Sequence, residues 1–141
     1  MKQKIAKWDS LYYILGMNIL LLVIRAVYGL ILLTFGLNGF FSFVPVPPLS
    51  DEANSFLLAL INTGYMLPLW KGVEVFCGLL LIINRYVPLA LVLIAPVIVN
   101  IFLFHLFLDL ENLLAPIFIL IFQIVLMFNR RKSFQSLLDS K

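Results

Sequence analysis

Charge, cysteine and histidine are all scarce in this chain, and each shortage closes off a class of function. Of 141 residues, 10 are Lys or Arg and 7 are Asp or Glu, 12% together, against a hydrophobic share of 63%. A soluble domain carries about 25% charged and about 45–50% apolar residues, so the composition is that of a membrane protein. One cysteine, Cys77, excludes an internal disulfide, a CxxC redox pair and a cysteine-rich metal site. One histidine, His105, excludes a bis-histidine haem within a single chain. No metal site is expected, and many of the usual cofactor readings fall on these counts.

What the chain does have is long apolar runs. Spans are expected at about 18–41, 64–83, 86–108 and 113–129, close to the ~20 residues that cross a bilayer. The whole chain, 1–141, then forms one integral membrane domain: an all-α, four-transmembrane-helix bundle. Met1–Ser10 reads as a short interfacial segment, with Trp8, Tyr12 and Tyr13 at headgroup level. The apolar run behind it is too long for a signal-peptide core and lacks a small-residue cleavage pattern, so a retained first span is expected. Between spans one and two, Pro45, Pro47 and Pro48 end the first helix. Ser50 then reads as an N-cap, with Asp51 and Glu52 in the first turn of a short outer interfacial helix.

The few charges are segregated. Lys2, Lys4, Lys7, Arg85, Arg130, Arg131, Lys132 and Lys141 fall at the termini and in the Asn84-Arg85 turn. Asp51, Glu52, Asp109 and Glu111 fall in the other two connections, which hold no Lys or Arg. The positive-inside tendency predicts cytoplasmic termini, in a plasma membrane of the bacterial inner-membrane type.

Three charges remain inside the spans: Arg25, Lys71 and Glu74. A central charge costs at least about 2.5–3.5 kcal/mol on the insertion scale, so such groups point into protein or a wet cavity. At 100° per residue, Asn18, Arg25, Gly29, Leu32, Gly36 and Gly39 share one narrow face of span one, whose small residues permit close packing. Counting depth from the span ends predicts a pairing of Arg25 with Glu74. Lys71 then faces Asn100, shares Glu74 or awaits an anion. The layer carries a net +1, which a bound anion, a neutral lysine or water must resolve. Asn100, His105, Asn38 and Gln123 complete the candidate ligand-binding set. The competing reading is an ion pair that locks helix register, with the amides as interhelical hydrogen bonds and Cys77 as small core packing.

Arg25 followed by Gly29, then Phe35-Gly36-Leu37-Asn38-Gly39-Phe40, then Lys71-x-x-Glu74-x-x-x-Gly78 and Phe104-His105, resembles the DoxX-like family of small four-helix membrane proteins. The likeness covers about residues 20–128. Some relatives have a lysine two or three residues after the first-span glycine, where this chain has Asn38 and Gly39. One branch of the family is named as the small subunit of a thiosulfate:quinone oxidoreductase, and another joins oxidative-stress complexes. The resemblance thus implies a redox-associated subunit that binds a quinone and docks a catalytic partner.

Two other functions fit the residues: a carrier for a small anion or lipid, working as a homo-oligomer, and an assembly protein without catalysis. Stand-alone catalysis is not expected, because one His, one Cys and a Lys–Glu pair specify no nucleophile and base. The basic tail suits membrane lipid rather than nucleic acid.

Overall fold

The computed structural model describes the backbone of residues 2–138 and the side chains of 16–135. The side chains of Lys2, Lys4, Lys7, Trp8, Tyr12, Tyr13 and Lys141 lie outside the described residues. The elements are helices α1 (Lys2–Phe41), α2 (Asp51–Asn62), α3 (Met66–Ile82) and α4 (Val87–Leu108), a 3-10 turn over Leu110–Asn112, then α5 (Leu114–Asn129) and α6 (Arg131–Leu138). Among the described residues there is no strand.

Two stretches, Gly16–Phe41 and Val87–Leu108, are long and apolar enough to cross a membrane. A third is added if α2 and α3, bent by 94° to each other, count as one broken span. Helix α5 is apolar but has 16 residues, short of the ~20 a span needs. The four expected spans fall on α1, α3, α4 and α5, of which two, or three with the broken pair, have the length to cross. Only 28% and 33% of the two long apolar windows are buried, and Phe41, Phe107, Leu110, Leu114 and Phe128 are all exposed. That much uncovered hydrocarbon belongs in lipid, where it needs no protein cover.

Of the expected interfacial segment, the described residues 2–10 are continuous in backbone with span one. No proline falls between Lys2 and Phe41, and α1 runs through without interruption. Helix α1 ends where Asn38 and Ser42 close it. Ser42, at φ 51°, donates its N–H to the Asn38 carbonyl at 2.8 Å. The Asn38 amide both accepts from Val44 N–H at 2.6 Å and donates to the Val44 carbonyl at 3.0 Å.

Helix α2 has the Ser50 N-cap that the sequence predicts, with Ser50 Oγ accepting from Ala53 N–H at 3.2 Å. It is also tied to the far end of α4. Ser50 Oγ donates to the Leu108 carbonyl, Ser50 N–H reaches Asp109 Oδ1 at 3.4 Å, and Phe56 packs on Phe104 with ring centres 5.7 Å apart. Asn112 Nδ2 bridges the Pro48 carbonyl at 3.1 Å and Asp109 Oδ2 at 2.9 Å. Gly64, at φ +76°, turns the chain out of α2, so α3 begins at Met66 rather than at 64. A tight turn with Asn84 at φ 57° and Tyr86 at φ 52° joins α3 to α4.

The core is an apolar seam of Tyr28, Leu32, Cys77, Leu81, Leu91, Ile94 and Ile98, closed by Leu126 of α5. Helices α1 and α3 make its closest contact, antiparallel and sealed by glycine. A methyl group at Gly29 would meet Gly78 O at 3.0 Å, and one at Gly78 would meet Leu33 N at 2.7 Å and Gly29 O at 2.8 Å. Further along, Gly36 faces Glu74 and Val75, and Gly39 lies on the methylenes of Lys71. The small face read from span one is thus the packed one: Arg25, Gly29, Leu32 and Gly36 are buried, while Asn18 is exposed.

Candidate functional site

The glycine contacts fix the register of α1 on α3, and that register separates the expected charged layer into two places. Gly36 opposes Glu74, whereas Arg25 lies eleven residues earlier on α1, about 16 Å along the axis. Arg25 therefore does not pair with Glu74. Its Nη1 donates instead to the carbonyl of Leu81, at 2.5 Å, in the last turn of α3. Depth counted from span ends missed this, because close glycine contacts, not equal span lengths, set how the helices slide.

Glu74 is 3% exposed and is satisfied by its own helix neighbour. Lys71 Nζ donates to both carboxylate oxygens, at 3.0 and 2.9 Å. The spacing of three puts both groups on one face of α3, and α1 can cover them because it offers glycine there. This pair is electrically closed.

The other candidates disperse. Asn100 is exposed on α4 and does not face Lys71. Asn38 staples the end of α1, as above. His105 Nδ1 is 2.9 Å from the Ile101 carbonyl, its ring stands edge-on to Phe104, and its Nε2 is 3.9 Å from Asp109 Oδ2. Gln123 is buried and links three helices: its Oε1 accepts from Tyr28 Oη at 2.9 Å, and its Nε2 donates to the Leu91 carbonyl at 2.7 Å. Tyr28 escaped the sequence reading because it lies just outside the Asn18–Gly39 face, about 60° from its centre. Asp109 escaped it as well; its place in a loop gave no sign that it would be a buried acceptor for Ser50 and Asn112. Replacing Gln123 by leucine strands the Tyr28 hydroxyl, which is fully buried, and is expected to cost about 1–3 kcal/mol of unfolding free energy. Adding Tyr28→Phe to that variant should recover part of the loss, measured by thermal unfolding of the purified protein.

Where Arg25 reaches the end of α3, the bundle opens into a cavity of about 200 Å³. Asn18, Leu21, Leu22 and Arg25 of α1 line it, with Asn84 and Val87 from the α3–α4 turn and Leu126, Asn129 and Arg130 from the end of α5. Two arginines and three asparagines thus line one space, and no acidic residue lines it. Among the described residues the ion pairs are Lys71–Glu74 and His105–Asp109, so neither guanidinium is neutralised there. Guanidinium carries five N–H donors in a planar fork, and Arg25 uses one on Leu81. The site is 8% exposed at Arg25 and open at Arg130, so an anion could enter from the Arg130 side and be held at depth. Among the described residues no cluster of His, Cys, Asp or Glu could hold a metal ion. No family model, curated protein or solved structure matches the chain.

Proposed function

We propose that this chain is a four-span, DoxX-like integral membrane protein that binds a phosphate-type anion in the Arg25–Arg130 cavity. It acts as a binding or carrier subunit, not as an enzyme on its own. Both termini, the Arg85 turn and the cavity face the cytoplasm, and Asp51, Glu52, Asp109 and Glu111 face outward. The segregation of charge supports this orientation, since Asn84 and Arg130 meet at one end of the bundle while Ser50, Asp109 and Asn112 meet at the other.

One observation carries the reading. Arg25 alone would be accounted for as a cap on the carbonyl end of α3, where a cation is favourable. A second guanidinium on the same cavity repels the first, and a pure cap gains nothing from it. An anion between them turns that repulsion into two charge-assisted contacts, with the three amides as further donors. A partner subunit and a quinone rest on the DoxX-like resemblance; a lining of guanidiniums and amides suits an anion better than an apolar ring.

Isothermal titration of the full chain in detergent, with inorganic phosphate and with dihexanoyl phosphatidate, tests the proposal. Saturable binding of either is expected, and Arg25→Gln should weaken it about 10- to 100-fold, the worth of a charged hydrogen bond of about 1.5–3 kcal/mol. Binding of both probes identifies a free anion as ligand, and binding of the phosphatidate alone identifies a lipid headgroup. No saturable binding of either, or equal binding by Arg25→Gln and Arg130→Gln variants, rejects the site.

A further inference from the structure

Helix α4 buries one side and leaves the other without a protein partner. Leu89, Leu93, Pro96, Asn100, Leu103 and Phe107 are all exposed, and Phe107 is 76% exposed. Their spacing alternates four and three, so Leu89, Pro96 and Leu103 repeat every seven residues, as do Leu93, Asn100 and Phe107. That is the spacing of a left-handed helix-pair seam, with Val92 and Val99, also exposed, flanking it on one side.

Two polar groups interrupt the stripe. Among the described residues the Asn100 carboxamide makes no hydrogen bond, and it stands about 12 Å from the Asp109 end of the helix by its rise. Pro96 has no N–H, so the carbonyl of Val92, also exposed, loses its helical donor. Hydrocarbon supplies neither a donor nor an acceptor, so a face like this is expensive against lipid.

A second copy of this chain answers the Asn100 carboxamide. A carboxamide is self-complementary, offering N–H donors beside a carbonyl acceptor. Copies inserted in the same orientation are related by a two-fold axis along the membrane normal, which brings each residue of the seam to its own counterpart at equal depth. Asn100 then meets Asn100. A single Asn at a core position of a heptad seam is also the device that fixes register and pair state in parallel coiled coils. An unlike partner has little to recognise, because α4 carries no charged residue besides His105, which is engaged at its own end.

We propose that α4 is a homodimer seam held by an Asn100–Asn100 hydrogen-bonded pair. This rests on membrane insertion of the chain and is independent of the anion cavity. In membranes containing the full chain, oxidative cross-linking should join Leu93→Cys or Leu103→Cys copies to each other, and not Ile19→Cys on α1 or Phe118→Cys on α5, both exposed positions. Photobleaching step counts at graded protein density should give two copies per spot, with Asn100→Leu raising the dissociation constant about 3- to 30-fold and Asn100→Gln retaining most of the affinity. Since Asn100 is exposed, these variants leave the fold intact. Single copies at every density, cross-links as strong at Ile19 or Phe118, a dimer as tight in Asn100→Leu, or α4 cross-links to a different polypeptide would each overturn the proposal.

Discussion

Lys71→Met is expected to lower the unfolding free energy by about 3–5 kcal/mol, towards the lower figure, while Glu74→Gln costs markedly less. The asymmetry follows from burial. The Glu74 side chain is 4% exposed and that of Lys71 22%. Removing the lysine leaves a carboxylate against Gly36 of α1 with both oxygens stripped of their donor. It must then take up a proton or draw in water. Removing the charge on Glu74 leaves an ammonium on a flexible stem, which can extend towards more polar surroundings. The double variant Lys71→Met/Glu74→Leu should recover most of the loss, because replacing a buried ion pair whole by apolar groups is often neutral. Unfolding of these proteins and of Glu74→Leu alone in one detergent closes the cycle and gives the coupling directly. Equal losses for the two single variants, with no recovery in the double, would falsify the account of Lys71–Glu74 as a closed pair.

Gly78→Val is expected to be about as damaging, at or beyond the upper end of the ~1–3 kcal/mol typical of overpacking. The added carbon would meet Leu33 N and Gly29 O, backbone atoms that no side-chain rotation can move away. Helix α1 would have to withdraw, loosening Arg25 from Leu81 and uncovering Glu74 together. Gly78→Ala already places that carbon and should show most of the effect. Gly72, six residues away on the same helix, is the contrast: a methyl group there meets nothing within 4 Å. Gly72→Ala should therefore gain about 0.5–1 kcal/mol from helix preference alone. The measurement is the midpoint of thermal unfolding for each, and a Gly78→Ala protein as stable as Gly72→Ala would remove the close crossing from the picture.

The helices and their polar or small faces were legible because hydropathy and the 3.6-residue period act locally. Ser50 as a cap, the Asn84-Arg85 turn and the inward line from Arg25 to Gly36 all follow from neighbours in sequence. Relative sliding was not legible. It is decided by which glycine meets which backbone, and a slip of about two turns in that match carried Arg25 from the Leu81 carbonyl to Glu74. Rotation failed for a related reason at Asn100. A helix as uniformly apolar as α4 gives little sign of which side faces its neighbours, so a polar residue on it was read as inward. Arg130 was read only as a topology signal, since nothing local says that a tail residue returns to the cavity beside Arg25.

The Tyr28–Gln123 bond joins residues 95 positions apart, and this has a bearing on biogenesis. Helix α1 and its glycine-sealed partner α3 can meet as soon as residue 82 has left the ribosome, since every contact of that crossing is then available. The hydroxyl of Tyr28 is by then on a helix that has already emerged, with its eventual acceptor some forty residues further back along the chain. Until α5 arrives it must be shared with water, lipid or an insertase. A chain halted after α4 consequently displays an unanswered hydroxyl beside the seam that α5 should close, and insertion of the last helix removes that mark.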